Sequence, residues 1–489
     1  MRIASLRNWI PVLFLTLLAA CGGDGSAEQT EVVASGAITG FGSVYVNGVH
    51  YETNGTAISR DGRPAAQSEL RVGQMVHIHG HVDPRNGHAV ANWIRQHNNL
   101  EGPITAVDAV AQTFVVLAHT VMVTADTSFS DDIASFADLT VGLQVEVNGM
   151  PDAGGNLIAT RVEKRRAGET TLEIVGKIAA LDAAVQTFRL DNLVVNYSGA
   201  VLRDFTRTGI ANDQFVEVKG DALDAGGALV ATSVELHDFE HLDHAFLREV
   251  AGLVTRFVSA TDFDVSGHPV TTTASTRYAG GNAADLALNV KVEAEGSIDA
   301  NGVLVASRIQ FKRRNGAGIA GLVQATTADA IGNGGTLTVM GVTITVDNRT
   351  RIEDRTSARI GMFGVKDLAV GDYVEVRGEE DAALQLTAAR LERRPVRSEV
   401  WVRGIARDPA APDFTALGVT VTTSASTEFE GVTSTQFFAT AAGQTVKVKG
   451  TLVGTELAAS EVEFEEHEDE ADRGHGGPPG GGPGPGGGH

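Results

Sequence analysis

Cysteine is all but missing from this chain. Cys21 is the only one in 489 residues, so no internal disulfide can form. Aromatic residues make up 6%, with three tryptophans and five tyrosines. Any core must therefore be built mainly from Val, Ile, Leu, Ala and Thr, and the β-branched members of that set favour strands. Long apolar runs are also scarce. The longest, Trp9–Ala20, has 12 residues and is too short to span a bilayer. G-x-S-x-G elbows, Walker loops and H-E-x-x-H pairs are lacking, and each would be needed for a familiar hydrolase, nucleotide or zinc chemistry. Basic charge is short: 39 Lys and Arg stand against 61 Asp and Glu, a formal net charge of −22. A field of that sign repels nucleic acid and anionic lipid.

What is present is repetition. An alternating apolar strand ending in glycine returns six times, as VGQMVHIHG (72–80), VGLQVEVNG (141–149), NDQFVEVKG (212–220), ALNVKVEAEG (287–296), VGDYVEVRG (370–378) and AGQTVKVKG (442–450). Each copy opens with a Gly-x-Ile-like step (Gly36, Gly102, Gly176, Gly252, Gly321, Gly404). Each closes on a strand with a small Ala near its centre, such as HAVANWIRQ (88–96) or LVATSVEL (229–236). Period-two alternation predicts valines on a buried face and Glu or Lys in water. The stretches Asp152–Gly155, Asp224–Gly227 and Asp299–Gly302 predict hairpin turns. Short, evenly spaced strands in units of about 70 residues predict an all-β chain: a tandem array of about six small OB-like antiparallel β-barrel or sandwich domains. Their expected limits are 36–100, 101–172, 173–248, 249–317, 318–398 and 399–466. Residues 467–489, the end of an acidic run up to Asp472 and then from Gly474 a stretch almost all Gly and Pro, cannot bury a core and are expected to be disordered.

The leader has its own pattern. Arg2 and Arg7 precede the apolar run, which ends in Leu18-Ala19-Ala20-Cys21. This resembles the lipobox of bacterial lipoproteins. The resemblance implies a signal peptide over 1–20, lipidation of Cys21 and a flexible tether over 21–35. It also implies a protein anchored in the cell envelope. Gly22, where retention at the inner membrane would call for aspartate, implies the outer membrane. The repeat pattern, over roughly residues 36–466, resembles the DUF5666 repeat proteins, exported bacterial proteins of unknown function. That resemblance implies repeated β domains and supplies no catalytic residue.

Three groups are candidate sites. His237, His241 and His244 fall between repeats 3 and 4, where a short helix would set all three imidazoles on one face for a divalent metal. The plain alternative is an amphipathic connector with the histidines in water. His77, His79 and His81 alternate along one strand and form a weaker metal candidate, against ordinary solvent-facing positions. Lys164-Arg165-Arg166 and Lys312-Arg313-Arg314, with Arg393, Arg394 and Arg397 at a third repeat end, are candidates for an anionic ligand such as acidic polysaccharide. Otherwise they simply pair with acidic neighbours. Gly316–Gly321 matches G-x-G-x-x-G, but a β-type segment follows it where a nucleotide site needs a helix, so it is expected to be a linker. The expected function is a non-enzymatic, lipid-anchored scaffold without a cofactor or nucleic-acid partner. The alternative is a periplasmic module that binds metal or an anionic ligand.

Overall fold

In the computed structural model the described residues are 30–83, 85–130, 132–166, 168–205, 209–236, 247–313 and 316–465. Nearly all regular structure among them is β, with one α-helix at Ser434–Thr440. Repeat 2 shows the unit. Its opening strand Leu100–Asp108 pairs antiparallel with Thr113–Val116, and that strand with His119–Met122. The third strand lies parallel to the closing strand Leu157–Lys164. The closing strand pairs antiparallel with the signature strand Gln144–Pro151, which returns to the opening strand. The ring closes in the order 1-2-3-5-4, leaving no free edge inside the barrel. The other five copies repeat this order, for example in repeat 5. The barrels are OB-like, as the strand spacing predicts.

The recurring glycine and alanine are explained by one contact. At every signature glycine the register slips by one residue, a β-bulge. Gly80, Gly149, Gly220, Gly296, Gly378 and Gly450 there face Ala91, Ala159, Ala231, Ala306, Ala388 and Ala459. A Cβ on any of the six glycines would lie 2.0–2.7 Å from a closing-strand carbonyl oxygen. Only glycine fits beside that carbonyl, and an alanine stands opposite it in every copy. The predicted turns also form. Asp152 Oδ1, for instance, accepts from the backbone N–H groups of Gly154 and Asn156 at 2.8 Å each.

The copies join in pairs, and one of the three pairs brings together repeats that are distant in sequence. The first half of each opening strand has the signature strand on one side and an open edge on the other. That edge takes a second opening strand. Repeats 2 and 3 join antiparallel through Leu100–Glu101 and Glu173–Ile174, and repeats 5 and 6 through Gly318–Ala320 and Trp401–Arg403. Repeat 1 joins repeat 4, parallel, through Val32–Ser35 and Leu247–Val250. Three 12-stranded sheets result. Repeats 2 and 3 share one apolar core and repeats 5 and 6 another, while repeats 1 and 4 keep separate ones.

Three expectations are corrected. The strand Thr30–Phe41 begins inside the stretch 21–35 read as a tether, because residues 30–35 pair with His77–Val82 and with repeat 4. Gly316–Gly321 is not a linker: Ala317–Ala328 is the opening strand of repeat 5. The outward residues of the signature strands are not all in water. Glu146, Asn148 and Glu217 are buried, because neighbouring repeats cover that face.

Candidate functional site at the junctions between repeats

Cys21, His237, His241, His244 and Arg314 lie outside the described residues. His77, His79 and His81 alternate outward on the strand Met75–Val82 while Val76 and Ile78 fill the core. His79 stacks on Trp93 with ring centres 5.5 Å apart, and its Nε2 lies 3.7 Å from Glu31. Among the described residues, two sets of three potential ligands have ligand atoms within 4.8 Å of one another: Asp61–Glu101–Glu173 and Glu430–Glu461–Glu463. Neither contains these histidines. The basic repeat ends are bound to acidic partners in several places. Arg165 is buried against Glu101 at 2.9 Å, while Lys164 and Arg166 are exposed. Lys312 pairs with Asp126, Arg313 with Asp347, and Arg393 with Asp354 at 2.7 Å.

The outward faces of repeats 1, 2 and 3 meet in a polar core. Arg60 Nη2 donates to Glu146 at 2.6 Å and lies 3.6 Å from Glu163, which also pairs with Arg161 at 3.0 Å. Asn98 Nδ2 donates to Glu101 at 2.7 Å and to Asp61 at 3.3 Å. Lys219 sits 2.8 Å from Glu173 and 2.7 Å from Glu217, and His97 lies 3.0 Å from Glu217. Asn148 accepts from the backbone N–H of Met75 at 2.9 Å and so ties repeat 2 to repeat 1. Burial is the main force on these carboxyls. It pushes Glu146 up to about 7 against the pull of Arg60, with Glu101 and Glu163 adding to the rise. It raises Glu173 well above the ordinary range, helped by Glu217 and Glu101.

Repeats 1, 2 and 5 meet in a second junction, which is rich in arginine. Arg351 donates to Ser128 Oγ at 2.5 Å and to the Thr160 carbonyl at 2.7 Å. Arg355 donates to the Phe129 carbonyl at 2.8 Å, and Arg390 to that of Ala125. Ser128 Oγ donates to Glu353 at 2.6 Å. Beside these contacts lies a cavity of about 220 Å³ whose lining includes Arg71, Arg161, Arg355 and Arg359 together with Glu353 and Asp354. Four guanidinium groups and two carboxylates line it, with Arg161 paired to Glu163 at 3.0 Å and Arg355 to Glu353 at 3.2 Å; guanidinium groups are the side chains best shaped to hold an anion. A wider cleft of about 540 Å³ opens in repeat 6 over Phe429 and Phe438, rimmed by Thr423, Thr427 and Thr433. The predictive features for the arginine junction were visible as single residues, but nothing in their spacing links Arg71 to Arg355.

A family model described as a domain of unknown function (DUF5666) matches residues 32–95, 101–163, 175–235, 251–310, 321–392 and 406–463. A search of curated proteins returned no match. One solved structure, titled drosophila Unr CSD456, aligns with 46% of this chain and 97% of its own at 14% identity, with a TM-score of 0.13. At that score the likeness carries no argument.

Proposed function

Because the chain belongs to the DUF5666 family, with six copies of the domain, we propose that it is a non-enzymatic scaffold of the cell envelope, anchored through a lipid on Cys21 at the outer membrane. The observation that supports this most is the use of the charged faces. They are spent on joining barrels: Arg60 to Glu146, Arg351 to Ser128 and Thr160, and Lys312 to Asp126 all cross between repeats. Shared sheets and half-buried ion pairs tie the barrels to one another, which suits a structural or presenting role. The test is metabolic labelling with a fatty acid, followed by membrane fractionation. Label in the wild-type chain and none in Cys21→Ala, with the wild type in the outer-membrane fraction, is the expected result. A wild-type chain that takes no label and stays soluble refutes the anchor.

A second reading is favoured by the arginine-lined cavity between repeats 1, 2 and 5: binding of an anionic ligand, with acidic polysaccharide as the envelope source. Calorimetric titration with a uronate oligosaccharide should show binding that weakens at least tenfold in the double variant Arg71→Ala, Arg359→Ala. Equal affinity in both proteins would remove this reading and leave the scaffold standing.

A further inference from the structure

We propose that Asp61, Glu101 and Glu173 form a calcium site that fastens the first three repeats together. One carboxylate comes from each: Asp61 follows the fourth strand segment of repeat 1 (Ala57–Arg60), and Glu101 and Glu173 lie on the opening strands of repeats 2 and 3. Glu101 and Glu173 are brought face to face by the strand pairing that joins the two barrels. Ligand oxygens of the three residues lie within 4.8 Å of one another. Two oxygens bound to one calcium at about 2.4 Å can be at most about 4.8 Å apart, so one ion can reach all three, and an all-oxygen donor set suits a hard cation of this kind.

A second observation points to a ligand here. Glu173 is 2% exposed, and its Oε1 accepts no hydrogen bond although the atom is buried. Its other oxygen is already taken by Lys219. Gln96, fully buried, likewise has an Oε1 without a donor. Its amide nitrogen donates to Asn98 Oδ1 at 3.0 Å, and Asn98 in turn donates to Glu101 and Asp61. Buried oxygens without donors are costly in a protein interior, and a bound cation is one way to satisfy them.

Among the described residues of this junction, Arg60 and Arg161 pair with Glu146 and Glu163, and Arg165, Lys219 and His97 pair with Glu101, Glu173 and Glu217. Glu430, Glu461 and Glu463 are also close together, but Glu430 is exposed and Glu461 is paired with Lys449, so that group is a surface cluster.

The test is calcium titration of the full chain, purified in detergent and stripped with EDTA, followed by calorimetry and by thermal unfolding. Wild-type protein should bind one calcium per chain and unfold at a higher temperature with calcium than with EDTA. Glu173→Gln and Asp61→Asn should each weaken binding at least tenfold and abolish the thermal shift, while Glu461→Gln should leave both unchanged. Wild-type protein that binds no calcium below millimolar levels overturns the proposal. So does unchanged affinity in Glu173→Gln and Asp61→Asn. Circular dichroism reports whether Glu173→Gln folds; if it does not, Asp61→Asn decides.

Discussion

Replacing Gly378 by alanine tests the contact that explains the repeated glycine. A Cβ at this position would lie 2.0 Å from the Thr387 carbonyl oxygen, 2.9 Å from its carbon and 3.0 Å from Ala388 Cα. Ordinary contact begins at 3.4 Å, so the oxygen must move by about 1.4 Å. All three obstructing atoms are backbone, and the strand Tyr373–Glu380 is paired on both sides, so neither strand can slide away. The substitution should therefore cost about 3 kcal/mol, at the upper end of what overpacking costs. Gly149 faces its carbonyl at 2.7 Å and should cost less. Gly199 meets nothing within 4 Å, and alanine there should be neutral or stabilise by about 0.5 kcal/mol through the unfolded chain. The assay is the guanidinium midpoint of the full chain, with hydrogen exchange of repeat 5 to place the loss. Because six barrels need not unfold in one step, midpoints are compared within each transition. If Gly378→Ala matches Gly199→Ala, or if Gly149→Ala proves the more harmful, the bulge is not what keeps glycine in the six signature strands.

Three further outcomes are expected. Glu146 binds a proton more readily in the folded chain, where burial puts it at about 7, than in the unfolded chain. The folded state thus carries more protons between the two values, and stability should fall by up to about 3 kcal/mol as pH rises from about 5 to 8; urea midpoints across that range should show a shallower fall in Glu146→Gln. Arg351→Ala should cost about 3 kcal/mol, because it leaves Ser128, Thr160 and Asp126 of repeat 2 without their shared donor, and limited proteolysis should then cut between repeats 2 and 5 sooner. Thr427→Val should cost about 1 kcal/mol in thermal unfolding, through loss of the 2.7 Å hydrogen bond from its hydroxyl to the Ala459 carbonyl.

That last bond belongs to a pattern which the sequence carried and which strand periodicity does not reveal. Thr56, Thr127, Thr276 and Thr350 make the same bond to the carbonyls of Ala91, Ala159, Ala306 and Ala388. Comparing the copies position by position, rather than reading each for alternation, would have found these threonines. The acidic junction and the arginine cavity had no such signal. Asp61, Glu101 and Glu173 stand alone in their own segments, and each reads as a solvated charge.

Repeat number, strand alternation and the paired Gly and Ala were determined by the sequence alone, because each barrel must solve the same local problem with residues close along the chain. Where the charged faces went was decided by tertiary structure. A Glu that alternates with Val is compatible with water or with another barrel, and only the neighbour settles which. For Glu146 and Glu217 it is another barrel. The union of repeats 1 and 4 is the clearest case. It joins Val32 to Leu247 by backbone hydrogen bonding along an open strand edge. Every opening strand offers such an edge, so no side chain marks which two will meet.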